Sequence, residues 1–353
     1  MSMGWANPRN VAAVVAMLLF ASACGATGGG AEGAGTEGTT GGGDPATLTI
    51  YSGRSEEFVA PLFEAFTQET GIPVDVRYGD SAELAATIME EGENSPADVF
   101  FSQDAGTLGA VAAAGLLTPL DGAILERVDP RFRSAEGLWV GTSGRGRVAV
   151  YNTELVDPAE LPGSILGFAD PSWDGRLGLP PTNASFQAHV AAMLIAIGQD
   201  ETRRFLDGLM ENGVRFYADN ASTTRAVAAG EIEVGLVNHY YKYEVEAEDG
   251  ALPIANHYFE TGDVGAFINA AGVGILATSP HADEARRFVD YVTGEPGQRF
   301  VAEHTWEYPI AAGYGPSVDI PPLSEFRGPD VDLSDLGARL PEALELLAEV
   351  GFV

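Results

Sequence analysis

The sequence predicts an α/β protein built on doubly wound, largely parallel sheets, and three features carry that prediction. Short apolar runs such as "LTIYSG" and "ADVFFS" alternate with amphipathic stretches of helical period from residue 48 onward. The apolar runs stop at Gly or Ser, and the first two amphipathic stretches open on Ser55 and Asp80, residues that cap helices. The 353 residues are 45% hydrophobic and 20% charged, which is ample for buried cores in one to three domains.

"LTIYSG" (48–53) reads as a strand ending at Gly53. In "SEEFVAPLFEAFTQETG" the apolar residues Phe58, Val59, Leu62, Phe63 and Phe66 share one helical face. Ser55 stands in the N-cap place, Glu56 and Glu57 suit the positive helix end, and Gly71 stops the helix. "IPVDVRYG" is a second strand, and "DSAELAATIMEEG" a second helix with Asp80 and Glu83 spaced as a capping box. "ADVFFS" and "AGTLGAVAAAGLL" repeat the pattern. A second unit begins near "GRVAVYNTELV", and "LSDLGARLPEALELLAEVGFV" closes the chain as an amphipathic helix with Leu340, Leu344 and Leu347 on one face. Ligands of such sheets bind beyond the carboxyl ends of the strands. The candidate positions are therefore 52–55, 102–104 and 238–241.

Nineteen Lys and Arg against 51 Asp and Glu give a formal charge of −32. Such a surface repels nucleic acid and anionic membranes. One cysteine, Cys24, excludes a disulfide within the chain and a cysteine metal cluster. It follows Arg9 and the apolar run "VAAVVAMLLFASA", which reads as a signal peptide over 1–23, too short for a confident membrane span. "ASAC" followed by Gly resembles a bacterial lipoprotein signal, with Cys24 lipidated. Residues 24–46 are Gly/Thr-rich and suit a flexible tether. The expected protein is extracytoplasmic and lipid-anchored, in a periplasm or on an outer cell surface.

The pieces "YSGRSEEFVAPLFEAFTQETGIPVDVRYG", "LAATIMEEGENSPADVFFSQDAG", "SGRGRVAVYN", "GEIEVGLVNHYY" and "AAGVGILATSPHADEARRFVDYVTGEPGQRF" run in order over about residues 47–312. In them the chain resembles the periplasmic ferric-iron-binding proteins of ABC transporters, within the type II solute-binding proteins. "NHYY" after a buried strand is the specific part. The resemblance implies a two-lobe type II periplasmic-binding-protein fold, with two doubly wound sheets joined by a hinge. Lobe one would be 47–146 plus 272–314, and lobe two 147–271 plus 315–353. It implies no enzyme activity, and no G-x-S-x-G, H-E-x-x-H or cysteine nucleophile is present. Partners would be an ABC permease and ATPase, with the binding protein itself a monomer.

In this family the adjacent tyrosines bind iron, a role that falls on Tyr240 and Tyr241. Strand geometry would send them to opposite faces, whereas a turn or helix start aims both at one point. Phenol is a weak acid of pKa about 10, but a trivalent ion displaces the proton, and phenolate is a hard oxygen ligand for Fe³⁺. The alternatives are rings that only wall a cleft, or Tyr243 replacing one of the pair. The sequence also departs from the family pattern. A first-loop histidine is replaced by Ser55, a carboxylate after the third strand by Gln103, and a third tyrosine by Phe186. Ser55 and Gln103 are left as outer contacts.

Two phenolates leave Fe³⁺ with open positions, and the family fills them with a synergistic anion, phosphate or carbonate. The anion-binding stretches fall on Asn183, Ala184 and Ser185, on Asn220 and on Asn238. Arg145, Arg147 and Arg54 are further candidates for the anion. Each has a plain alternative: Ser55 caps a helix, Asn183 and Asn220 make turns, and Arg147 balances a local carboxylate. His239 is expected to make a structural hydrogen bond, and His189 to be structural. The competing function is the same fold binding an organic solute, such as a polyamine, thiamine or a phosphonate.

Overall fold

The computed structural model describes residues 46–353. The expected signal peptide, Cys24 and all of the tether but Ala46 lie outside the described residues. Among the described residues no helix is long and apolar enough to cross a membrane.

The strands are β1 (Leu48–Ser52), β2 (Val74–Tyr78), β3 (Val99–Ser102), β4 (Leu117–Thr118), β5 (Val140–Asn152), β6 (Leu177–Leu179), β7 (Arg215–Phe216), β8 (Val234–Asn238), β9 (Ile254–His257), β10 (Ile268–Leu276) and β11 (Tyr308–Pro309). The helices are α1 (Glu56–Thr70), α2 (Ser81–Glu91), α3 (Ala105–Ala113), α4 (Gly122–Leu125), α5 (Ala184–Ala196), α6 (Gly198–Glu211), α7 (Asn220–Ala228), α8 (Tyr241–Asp249), α9 (Ala282–Thr293), α10 (Glu295–His304) and α11 (Leu336–Val350).

The strands follow the order β2-β1-β3-β10-β5-β8-β6-β7, with β4, β9 and β11 as side pairings. β1 runs parallel to β2 and β3, and β6 runs parallel to β7 and β8. The two parallel halves meet at one long strand. β5 pairs antiparallel with β10 and β11 through Gly146, and with β8 and β9 from Arg147 onward. All thirteen of its residues are buried. β10 joins the first half from Ile268, where it faces Gly146.

The local signals explain these elements. In α1 the expected face is buried at Val59, Leu62, Phe63 and Phe66, and Gly71 ends the helix in the left-handed region (φ 73°). Asp80 caps α2 by accepting from the Ala82 and Glu83 amides. The first half is cored by aromatic edges, Phe63 on Phe101 (5.7 Å, 81°) and Phe66 on Phe288 (5.2 Å, 88°). In the second half Phe168 meets Trp173 edge-on at 4.9 Å.

The C-terminal helix differs from the sequence reading in its buried face. Its buried face is Leu336, Ala343, Leu346 and Leu347, while Leu344 is exposed. It packs on α5 and α6 of the second half and on α3 of the first. Close approach to α3 is possible because that surface is glycine: a Cβ on Gly109 would collide with the Ser334 carbonyl, and one on Gly337 with that of Gly106.

Candidate metal centre

β8 is buried along its whole length and stops at Asn238; α8 begins at Tyr241, with Tyr240 already helical at the N-cap (φ −74°, ψ −22°). The switch from extended to helical backbone cancels the strand alternation that would have separated neighbouring side chains. The two phenol rings stack, with centroids 4.3 Å apart and planes at 29°. Burial raises the pKa of Tyr240 well above 10 and that of Tyr241 above 10, each hydroxyl acts on the other, and Arg145 partly opposes the rise. Both are therefore neutral phenols at pH 7 until a cation displaces their protons.

His239 fixes this turn. Its Nδ1 accepts from the Gly146 amide at 3.1 Å, and its Nε2 lies 3.0 Å from the Trp306 carbonyl, so Nε2 carries the proton. Burial pulls its pKa down to about 4, which keeps the ring neutral. The histidine thus ties the tyrosine turn to the middle of β5 and to the loop before β11. That loop is strained: among the described residues Trp306 is the one non-glycine with positive φ, 52°.

Arg147, whose cation the two tyrosine oxygens act on, is 2% exposed. Nη1 donates to Asn238 Oδ1 (3.2 Å) and Nη2 to the Leu236 carbonyl (2.8 Å), while Nε has no partner. Among the described residues no carboxylate pairs with it, so the idea that it balances a local acid does not hold. Burial lowers its pKa from 12.5 to about 10, and the tyrosine oxygens push it back up. The shift corresponds to a net penalty of about 3 kcal/mol on the cation. Negative charge arriving beside it recovers that penalty.

Asn238 extends the network by donating from Nδ2 to Ser185 Oγ at 3.1 Å. Asn183 caps α5, its side chain accepting from the Ser185 amide at 3.0 Å. Asn183, Ala184 and Ser185 line a cavity of about 430 Å³ together with Gln103, Asn269 and Arg145. Arg145 is 2% exposed and its Nε has no partner. Asn220, at the first residue of α7, is fully buried with both amide atoms unpartnered. Buried polar atoms without partners are rare and costly, and four of the eight such side-chain atoms among the described residues fall on Arg145, Arg147 and Asn220, residues expected to hold an anion.

One expected contact, Arg54, is corrected. Arg54 is buried in an ion pair with Glu307 (Nη1 to Oε1, 3.0 Å), so it is not free to hold an anion. Ser55 is exposed and makes no side-chain capping bond, so the bonded-cap alternative does not hold. Gln103 is engaged: with its amide oriented to satisfy both neighbours, Nε2 donates to the Gly53 carbonyl (3.3 Å) and Oε1 accepts from Arg145 Nη1 (3.2 Å). Phe186, in the third tyrosine's place, is buried and stacks on Phe352 at 5.9 Å.

Glu307 and Ser143 went unseen in the sequence. Ser143 Oγ donates to Glu307 Oε2, and Arg54, Arg145 and this bond hold the Glu307 carboxyl below its ordinary range despite full burial. The one usable signal was Arg54 itself, a cation beside a buried strand that needs an acid somewhere. "TWEYP" belongs to no periodic element that would have named the acid. No group of three His, Cys, Asp or Glu among the described residues is placed to hold a metal.

The model of the family described as bacterial extracellular solute-binding protein matches residues 51–299. The chain belongs to that family. The Fe(3+)-binding periplasmic protein of Serratia marcescens is 35% identical over 309 residues, covering 87% of this chain and 90% of the relative. The major ferric iron-binding protein of Neisseria meningitidis is 33% identical over 310 residues, covering 87% and 93%. Iron-bound HitA from Pseudomonas aeruginosa superposes with a TM-score of 0.80 at 37% identity, over 87% of this chain and 100% of that one. A Trichodesmium protein solved with iron and citrate gives a TM-score of 0.78 at 29% identity, over 87% and 100%. The fold of this solute-binding protein is accordingly the two-lobe type II fold.

Proposed function

We propose that this solute-binding protein captures Fe³⁺ with a synergistic anion between its lobes and delivers it to an ABC permease. The observation that carries the reading is the stacked Tyr240–Tyr241 pair at a helix start, beside a buried arginine that has no acid partner. Iron-binding names among the relatives agree with it. Iron meets the phenol oxygens on lobe two first. The anion occupies the cavity beside Arg145 and the start of α5, where backbone N–H groups and the helix dipole favour negative charge. Phosphate and carbonate both suit these donors, and so does the carboxylate chemistry of citrate, which accompanies iron in the Trichodesmium structure. The lobes then close about the hinge.

We place lobe one at 47–146 plus the return from about 268, and lobe two at 147–267. The C-terminal helix serves as a bridge, because it packs on both. A lipid at Cys24 and the 24–46 tether would hold a monomeric body near its permease and ATPase. Release follows protonation of the phenolates or loss of the anion.

The test is the visible spectrum of the purified protein before and after ferric citrate, with phosphate or bicarbonate present. The expected result is a broad phenolate-to-iron charge-transfer band. A protein that stays colourless with every anion overturns the iron reading. It would favour an organic solute instead, in line with the engaged Gln103 and the exposed Ser55.

A further inference from the structure

We infer that Glu244 supplies the carboxylate ligand to Fe³⁺ that lobe one lacks, making with Tyr240 and Tyr241 a ligand set drawn from one helix start. The inference rests on the iron reading above. The other acids near the tyrosines are committed. Glu307 is held by Arg54 and Ser143. Asp104 caps α3 by accepting from the Thr107 amide at 3.1 Å. Gln103 carries no charge and is bonded on both sides.

Glu244 differs on each count. It lies three residues after Tyr241 in α8, so the two side chains share a face of the helix. Helical Cα–Cβ bonds tilt towards the N-terminus, which carries the carboxylate back over the turn that bears the tyrosines. Its charge lies close enough to act on Tyr241 and on Glu307. Asp219, Arg225 and Glu248 are the other charges around it.

Glu244 is half-buried, yet among the described residues its carboxylate makes no hydrogen bond or ion pair. The neighbouring cations are occupied: Arg225 pairs with Glu248 and Asp249, and Lys242 with Glu246 at 2.7 Å. A half-buried carboxylate left unpaired, with the nearby cations already taken, is costly unless something else claims it. A trivalent ion held by two phenolates keeps one positive charge. One carboxylate cancels it with another hard oxygen donor. Arg54 and Glu307 already cancel each other, so this charge balance needs nothing from lobe one.

The test is Glu244→Gln in the purified protein, loaded with ferric citrate and bicarbonate. Expected are a loss of Fe³⁺ affinity of at least ~100-fold by citrate competition, the upper end for an outer-shell change, and a charge-transfer band moved to longer wavelength. Losing an anionic donor leaves the iron a stronger Lewis acid. Glu246→Gln removes the same charge from the same helix and should leave band and affinity unchanged, which separates a bond from a field. A wild-type band with Glu244→Gln unchanged in both readouts overturns the inference and leaves the iron reading standing. A wild type without any band overturns both. If the variant does not fold, iron X-ray absorption and a crystal structure of the loaded wild type decide: a Glu244 oxygen outside the iron's first coordination sphere overturns the inference.

Discussion

The two walls of the cleft are built on opposite plans. On the second wall, where β8 runs into α8 and α5 begins, polar groups are left unsatisfied. Both tyrosines are neutral and stacked, Arg147 and Asn220 have orphaned atoms, and Glu244 is unpaired. On the first wall most charged groups are paired, Arg145 Nε being the exception beside the cavity. Arg54, Glu307 and Ser143 form one buried cluster, and Gln103 is bonded to Gly53 and Arg145. The second wall keeps binding energy for a ligand, while the first spends its polar groups on its own fold. A mutation on one wall should therefore cost iron, and a mutation on the other should cost stability.

The largest effect belongs to the second wall. Tyr240→Phe with Tyr241→Phe should abolish the charge-transfer band and lower Fe³⁺ affinity by well over the ~100-fold typical of an outer-shell change. The apo melting temperature should hardly move, because the rings still stack. Iron bound at full affinity by the double variant would break the comparison at its centre.

On the first wall the sign reverses. Glu307→Gln leaves Arg54 buried without its acid, a loss of about 3–5 kcal/mol of folding stability in denaturant titration. Iron affinity of the folded fraction should fall far less than in the tyrosine variant. If it fell equally with stability intact, Glu307 would be a ligand and the first wall would not be closed.

Arg147→Met sharpens the contrast. The cation carries a burial penalty and no acid partner, so an apolar stem of similar length should leave apo stability unchanged or higher. Iron loading in phosphate or bicarbonate should weaken by ~10–100-fold, and its dependence on anion concentration should flatten. A large loss of apo stability would show that its bonds to Leu236 and Asn238 outweigh the penalty.

Much of the fold was legible because it rests on local signals. The α1 face, the Asp80 cap and the strand ends follow from periodicity and turn residues, and the family-specific "NHYY" fixed the dyad. What was not legible depends on pairs distant in sequence. Arg54 meets Glu307 across 253 residues, and no spacing encodes that meeting. Gln103 read as a free outer contact because its bond to Arg145 comes from another strand. Leu344 was placed on the buried face because period alone cannot say that α11 rests on two helices at once. Glu244 was passed over because an acidic residue in so acidic a chain carries no signal until its neighbours are known to be paired.

The smallest prediction concerns acid and the place where the walls join. His189, fully buried in α5, bonds through Nε2 to the Val264 carbonyl at 2.8 Å, and burial with Arg147 nearby lowers its pKa to about 3. In the unfolded chain it titrates at about 6.5. Between these values the unfolded state binds a proton that the folded state refuses, so stability is full above about 6.5 and drains as pH falls towards 3. The slope is up to ~1.4 kcal/mol per pH unit. His239, held to about 4, adds a second slope of the same sign and ends its contribution sooner. The Glu307 cluster also loses stability on acidification, but only below the ordinary carboxylate range. From pH 6.5 to 5 the histidines therefore dominate. His189→Gln keeps a donor for Val264 and removes one titration, so its melting temperature should depend less steeply on pH over that interval than the wild type's. Equal slopes would mean that His189 stays neutral for no thermodynamic cost, and that the acid response of this cleft lies with His239, the residue that ties the tyrosine turn to the opposite wall.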